Sequence, residues 1–285
     1  MRNLLIIGAG YTGRATALLA RSRGWQVALT TRGRPGPGEV SFADPAPLAQ
    51  ATHLLVTAPP GEAGDPVWVA HAGALRAAAF EWVGYLSTTG VYGDRGGATV
   101  DEDTPPAPQQ PRSHRRLEAE RQWQALPCAV DVFRVGGIYG PGRSALDDAR
   151  AGTARRIVKP GHSFSRIHRD DIAQACLAAA ERPDGHRILH LVDDEADPAS
   201  QVAEEAARLL GLPAPPEVHF ADASARMSEM ARSFWSENRR VASTRTKAAL
   251  GIAWRYPTFR EGLAAILAEE GAEERAEDAA QQREV

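Results

Sequence analysis

Four apolar residues, Leu4 to Ile7, run directly into Gly8-Ala9-Gly10-Tyr11-Thr12-Gly13. The following stretch, Thr12 to Arg23, has helical spacing, with Ala15, Leu18 and Leu19 on one face and Gly24 as a stop. A buried strand, a G-x-G-x-x-G turn and a helix in that order leave few folds open. Such a turn brings backbone N–H groups and the positive end of a helix to one point, a ready site for a pyrophosphate. Gly8 makes the turn, Gly10 lets the backbone approach phosphate, and Gly13 lets the helix pack on the strand. Gly8, Gly10, Tyr11, Thr12 and Gly13 are therefore the expected contacts of a dinucleotide.

Further strands are predicted at Trp25 to Thr31, His53 to Thr57, Glu81 to Ser87, Val130 to Val135 and Arg187 to Val192, with helical stretches between them. Gly33-Arg-Pro-Gly-Pro-Gly38 reads as a loop. Strands alternating with helices predict a parallel sheet covered on both faces, and right-handed crossovers make it doubly wound. The last third differs. Asp197-Pro198 reads as the cap and first residue of a helix that Gly211 ends, and Pro213 to Pro216 as a linker. The expected fold is α/β: a doubly wound Rossmann domain over residues 1–195, with a small substrate domain over 196–285. Residues 146–165 are expected to contribute to the substrate side. From Glu269 the chain is almost all Ala, Glu, Arg, Gln and Asp, which reads as a solvated helix or frayed tail.

The adenosine end of a dinucleotide is read at the tip of the second strand. NAD enzymes usually place an acid there for the ribose hydroxyls. Here the tip is Thr30-Thr31-Arg32, with Arg34 close behind and no carboxylate. A guanidinium is planar, permanently charged and bidentate, and so suits a 2′-phosphate. Thr31 and Arg32 therefore favour NADP(H) over NAD(H). Asp44 either accepts from the adenine amine or caps a helix. In open α/β sheets ligands sit at the carboxyl ends of the strands, at the switch point of strand order. The Ala58-Pro59-Pro60 loop is thus expected to border the cofactor.

Composition narrows the partners. The 33 Lys and Arg against 36 Asp and Glu give a net charge of −3, which supplies no field for nucleic acid or an anionic membrane. No apolar run reaches the ~18–20 residues of a membrane span. Cys128 and Cys176 have no CxxC or zinc spacing, which fits a reduced, cytoplasmic setting. His186 and His190 are four apart but flank a strand and lack a third ligand, so no metal is expected. Arg112, Arg115, Arg116 and Arg121 interleave with Glu118 and Glu120, as on a solvated helix.

Several segments together resemble the extended short-chain dehydrogenases/reductases and nucleotide-sugar epimerases. They are GAGYTG, Leu86-Ser-Thr-Thr-Gly-Val-Tyr-Gly93, Glu102-Asp-Thr-Pro-Pro-Ala-Pro108, Phe133-Arg-Val-Gly-Gly-Ile-Tyr-Gly-Pro-Gly142, Arg166-Ile-His-Arg-Asp-Asp-Ile172, Asn238-Arg-Arg-Val, and the pattern Leu250-Gly, Tyr256-Pro, Gly262-Leu. The resemblance implies that Thr88 carries the catalytic hydroxyl and faces the nicotinamide of the cofactor. It implies a small-molecule substrate and pairing into a homodimer through two sheet-flanking helices; Arg239 and Arg240 stand where the family sometimes contacts a substrate phosphate, or are surface charge. His168 and Asp171 are expected to tie the C-terminal segment to the sheet.

The chain departs from that family at its acid/base pair. In the Tyr-x-x-x-Lys motif the Lys position is Arg116 and the Tyr position is Arg112, and no tyrosine occurs between Tyr92 and Tyr139. Arginine stays protonated at any working pH and cannot act as general base. Arg116 can still hold ribose or phosphate. The remaining candidates for proton transfer are Tyr92, Tyr139, His114 or a water ordered by Thr88. This pattern resembles the atypical, YeeZ-like branch of the superfamily. That leaves two expectations: an NADP(H)-dependent oxidoreductase with a non-standard acid/base, or a cofactor-binding sensor whose catalysis has lapsed.

Overall fold

The computed structural model describes residues 2–281. Strand and helix alternate from the start: β1 (Asn3–Ile7), α1 (Tyr11–Ser22), β2 (Gln26–Thr31), β3 (Glu39–Ser41), α2 (Ala46–Gln50), β4 (His53–Val56), α3 (Pro66–Ala77) and β5 (Trp82–Thr88). A 3₁₀ turn (Thr89–Tyr92) leads to β6 (Thr99–Val100), α4 (Pro111–Gln124), β7 (Ala129–Val135), β8 (Gly137–Tyr139), α5 (Ala145–Arg150), β9 (Arg156–Val158) and β10 (Phe164–His168). The chain continues through α6 (Arg169–Glu181), β11 (His186–Leu191), β12 (Ala196–Asp197), α7 (Ala199–Leu209), β13 (Glu217–His219), α8 (Phe220–Ser224) and α9 (Glu229–Trp235). It closes with β14 (Arg240–Val241), α10 (Thr244–Leu250) and α11 (Phe259–Gln281). The last four residues of the charged tail lie outside the described residues.

Seven strands form one sheet in the order β11-β7-β5-β4-β1-β2-β3, every pair parallel. The order reverses between β1 and β4, where Ile7 stands opposite Val56. Two cores cover the two faces. One gathers Ala17, Ala20, Trp82, Phe133 and the alanines of α6. The other gathers Leu48, Val67, Leu75, Tyr85 and Trp123 under α2, α3 and α4. A third, smaller core joins α5, α7 and α11 around Leu146, Phe259 and Ile266. All six expected strands are present. The seventh, β3, follows the glycine-proline loop and is too short to show a periodicity.

Two local expectations fail for identifiable reasons. The buried face of α1 is Gly13, Thr16, Ala17 and Ala20, while Leu18 is 73% exposed. This face lies against α6, and helices that approach closely admit only small side chains between them. Asp197 does not cap α7, because it is paired with Phe164 in β12 and its carbonyl accepts from Arg166. Pro198 holds the cap position instead, and Gly211 follows the helix at φ 66°.

The C-terminal segment returns to the sheet. β14 pairs with β6, and Asp171 accepts from the backbone N–H groups of Arg255 (2.6 Å) and Tyr256 (3.1 Å). Among the described residues no helix is long and apolar enough to cross a membrane, and no three His, Cys, Asp or Glu are grouped to hold a metal ion.

Candidate functional site

The switch point between β1 and β4 opens a crevice whose floor is the glycine turn. Gly8 has φ 111°, and a Cβ there would stand 2.5 Å from Thr57 Oγ1. A Cβ on Gly13 would fall on the carbonyl oxygen of Gly8, so the third glycine sets the helix-to-strand distance. At Gly10, by contrast, a Cβ would meet nothing within 4 Å. The space above Gly10 is open, as a diphosphate requires. Thr30 braces the turn from β2: its Oγ1 accepts from Gly8 N (3.2 Å) and its carbonyl from Ala9 N (3.1 Å). Gly10 caps α1 without a side-chain acceptor. The N–H groups of Tyr11, Thr12 and Gly13 therefore have no acceptor among the described residues and point, with the helix dipole, at the crevice. Tyr11 offers only its backbone, since its phenol donates to the carbonyl of Pro141 (3.0 Å) and is pushed up in pKa by burial.

The Ala58-Pro59-Pro60 loop borders the crevice on the other side. Thr57 fastens it there, its N–H on Ile7 O (2.9 Å) and its hydroxyl shared between the carbonyls of Ile7 and Gly8 (3.1 Å each). At the tip of β2, Thr31 Oγ1 accepts from Gly33 N (3.2 Å). Arg32 and Arg34 are exposed, with no hydrogen-bond or ion-pair partner among the described residues. In register Glu39 stands opposite Leu29, two residues below the tip, and it is held by Arg14 (2.7 Å) and Gly36 N (3.2 Å). Asp44 accepts from Ala46 N (3.0 Å) just ahead of α2, whose cap position is held by Pro45.

Beyond the carboxyl ends of β5 and β7 lies a cleft of about 290 Å³. Thr88 ends β5 and borders it, its Oγ1 accepting from Gly90 N (3.1 Å). Arg112 reaches the same wall from α4. Sequence reasoning singled out both positions, and Arg239 as well, whose guanidinium donates to Gly93 O and Glu237 (2.8 Å each). It missed Ser163, Phe164, Phe234 and Glu237, which come from loops and short elements without a periodic signal. Glu237 abuts the Asn238-Arg-Arg segment, the one pointer available.

Other candidates stand elsewhere. Arg116 turns one terminal nitrogen onto β5, donating to Leu86 O (2.6 Å) and Tyr85 Oη (3.2 Å). Burial pushes the Tyr85 phenol up to about 12 despite that arginine. Tyr92 is fully buried and its hydroxyl is used by His190 Nε2 (2.5 Å), Arg134 (2.7 Å) and Asp101 O (3.1 Å). It cannot reach a ligand. Its small neighbour Gly93 and the tight 3₁₀ turn direct the ring inward. Tyr139 is buried against α11, where desolvation raises its pKa strongly, and His114 is exposed on α4.

No protein-family model matches the chain. Protein YeeZ of Escherichia coli is 29% identical over 242 residues, spanning 75% of this chain and 86% of that protein. A 3-diazoavenalumate denitrifying reductase from Streptomyces is 32% identical over 183 residues, 59% of each chain. Among solved structures, a conserved protein of unknown function from Silicibacter pomeroyi is 44% identical, covering 94% of this chain and 99% of its own, with a TM-score of 0.88. A human epimerase-family protein solved with NADPH shares the fold at 22% identity, with a TM-score of 0.75 over 93% of this chain and 98% of its own.

Proposed function

The chain belongs to the extended short-chain dehydrogenase/reductase family, in its YeeZ-like branch, and on that premise we propose that it is an NADP(H)-dependent oxidoreductase working without the family's Tyr-Lys pair. The observation that carries the cofactor half is the crevice itself: three N–H groups without acceptors and an open Gly10, leading to a carboxylate-free strand tip where Arg32 is unpaired. Gly8, Gly10, Tyr11, Thr12 and Gly13 would hold the diphosphate, Thr31 and Arg32 the 2′-phosphate, and the Ala58-Pro59-Pro60 loop the middle of the molecule. Proteins that share the fold at 22% identity were solved one with NADPH and another with NAD, so the choice between them rests on the strand tip.

Bound NADPH supplies a hydride. The chain's own part is to orient and to polarise. Thr88 takes a backbone N–H on its oxygen, which leaves its own hydrogen to donate to a substrate oxygen. Arg112 stays charged and stabilises negative charge rather than transferring a proton. The residues lining the cleft include no Tyr, His, Cys or Lys, and the one carboxylate, Glu237, is paired with Arg239, so in this reading the proton comes from solvent by way of Thr88. General acid–base catalysis is worth about 10²–10⁴-fold, so turnover should be slow beside a family member that keeps the pair. The same wall favours a second reading, a cofactor sensor that no longer turns over.

Arg32→Ala should weaken NADPH about tenfold and change NADH less than about twofold, the loss expected for a charged hydrogen-bonding pair. Fluorescence titration with both cofactors measures it, and equal losses would remove the 2′-phosphate assignment. Substrate-dependent NADPH oxidation across a panel of carbonyl compounds separates enzyme from sensor: tight binding with no oxidation throughout leaves the sensor.

A further inference from the structure

Three features of the cleft are unused by a cofactor. The first is Arg112. One of its terminal nitrogens donates to Ser233 Oγ (2.5 Å), and that hydroxyl donates onward to Met230 O (2.6 Å). Its guanidinium carbon lies 4.4 Å from the centre of the Phe234 ring. Stacked and fixed at one corner, the fork is pre-organised, and its other nitrogens have no acceptor among the described residues. The other two arginines on the wall are engaged. Arg239 is paired with Glu237, and Arg166 donates to Phe164 O (2.8 Å) and Asp197 O (2.9 Å).

The second feature is a pair of orphaned polar atoms in the same wall, Ser163 Oγ and Glu237 Oε1. Their residues are 5% and 6% exposed. A buried polar atom without a partner costs its full desolvation, so such groups are retained where something arrives to satisfy them. Glu237 is an acceptor and needs a donor, and a serine hydroxyl serves either way. The third feature is the apolar lining, Phe164 and Phe234, the latter 54% exposed although it is a large hydrophobe.

We infer that this cleft takes a small carboxylate with an apolar body that also carries a hydroxyl or amino group. Arg112 binds the carboxylate, the body lies against Phe164 and Phe234, and the hydroxyl or amino hydrogen goes to Glu237 with Ser163 beside it. The cleft stands at the lower end of the roughly 300–1,000 Å³ usual for ligand pockets, which suits a small acid. Three arginines against one carboxylate leave the lining positive, as an anion requires. The assignment names the substrate class of the oxidoreductase proposed above and rests on that reading for the placement of the reacting end beside Thr88.

Calorimetric titration with 4-hydroxybenzoate, its methyl ester and benzoate, with and without NADP⁺, tests it. The wild type should bind 4-hydroxybenzoate at least tenfold tighter than the ester. Arg112→Ala should erase that preference and Arg112→Lys keep part of it. Glu237→Gln and Ser163→Ala should erase the preference for 4-hydroxybenzoate over benzoate and leave the preference for acid over ester. If Glu237→Gln fails to fold, Ser163→Ala carries this arm alone. NADPH affinity measured on each variant should be unchanged and reports intact folding. Equal binding of acid and ester by the wild type, no binding of either, or an intact preference in Arg112→Ala would overturn the inference. Failure of the wild type to bind NADPH, with the acid preference intact, would instead sink the cofactor reading alone.

Discussion

Single residues here take their meaning from what already occupies them. Arg112 and Arg116 are four apart on α4, yet Arg116 turns one terminal nitrogen onto a strand carbonyl while Arg112 lines the cleft. Tyr92 and Thr88 come from one sequence segment, and the four-residue turn that Thr88 caps and Tyr92 ends sends one inward and leaves the other at the rim. Sequence reasoning names such residues well and cannot tell which face the backbone gives them. His168 is a further instance. It is 1% exposed, packs between Tyr139 and Tyr256, and caps α6 by accepting from Asp170 N at Nδ1 (3.2 Å). Burial depresses its pKa to about 4 from 6.5. The unfolded chain then binds the proton that the folded one refuses, so stability falls as pH drops from about 6.5 toward about 4. His168→Asn keeps a cap acceptor and removes the titration. The variant should be weaker at pH 7.5, yet should lose less on going to pH 5, the difference being up to about 2 kcal/mol from this one group. Urea denaturation at the two pH values reads it; parallel losses would show that His168 is not the group.

At the scale of elements, α4 carries Arg112 into the cleft, and it is seated by a buried polar chain as well as by the apolar contacts of Ala119 and Trp123. Glu120, 1% exposed, takes Arg134 (2.8 Å) and the hydroxyl of Ser87 (2.5 Å). Arg134 passes on to Tyr92, and Tyr92 to His190, whose Nδ1–H donates to Ala242 O (2.7 Å). The chain links α4, β5, β7 and β11 to the segment entering α10. In the sequence Glu120 looks like ordinary surface charge, because a helix carrying Arg115, Arg116, Glu118 and Arg121 looks solvated all round. Contact with the sheet singles out Ser113, Ala119, Glu120 and Trp123 instead. Removing one partner of a buried ion pair leaves the other charge uncompensated, at about 3–5 kcal/mol. Glu120→Gln should lower the unfolding free energy by about that much, while Glu118→Gln on the exposed face should stay within about 0.5 kcal/mol. Equal, small effects in denaturant titrations would mean that the network does not seat the helix.

On the scale of the whole molecule, strand order does what no motif can. Parallel pairing in the order β11-β7-β5-β4-β1-β2-β3 puts Gly8, Thr31, Ala58 and Thr88 at the same edge, though they are spread over the first third of the chain. The alternation of apolar strands with helices and the glycine spacing determined this much by themselves, because burial on both faces demands near-continuous apolar strands and a diphosphate demands a backbone without side chains. The cofactor crevice was legible for that reason: its chemistry is local, carried by backbone and by neighbours in sequence. The substrate cleft was not. Thr88, Arg112, Ser163, Phe234, Glu237 and Arg239 meet only because β14 pairs with β6 and α9 folds back over the ends of β5 and β7. Tertiary structure alone decided which of these charges are satisfied and which stand free, since pairing depends on distance in space, and a sequence records only order along the chain.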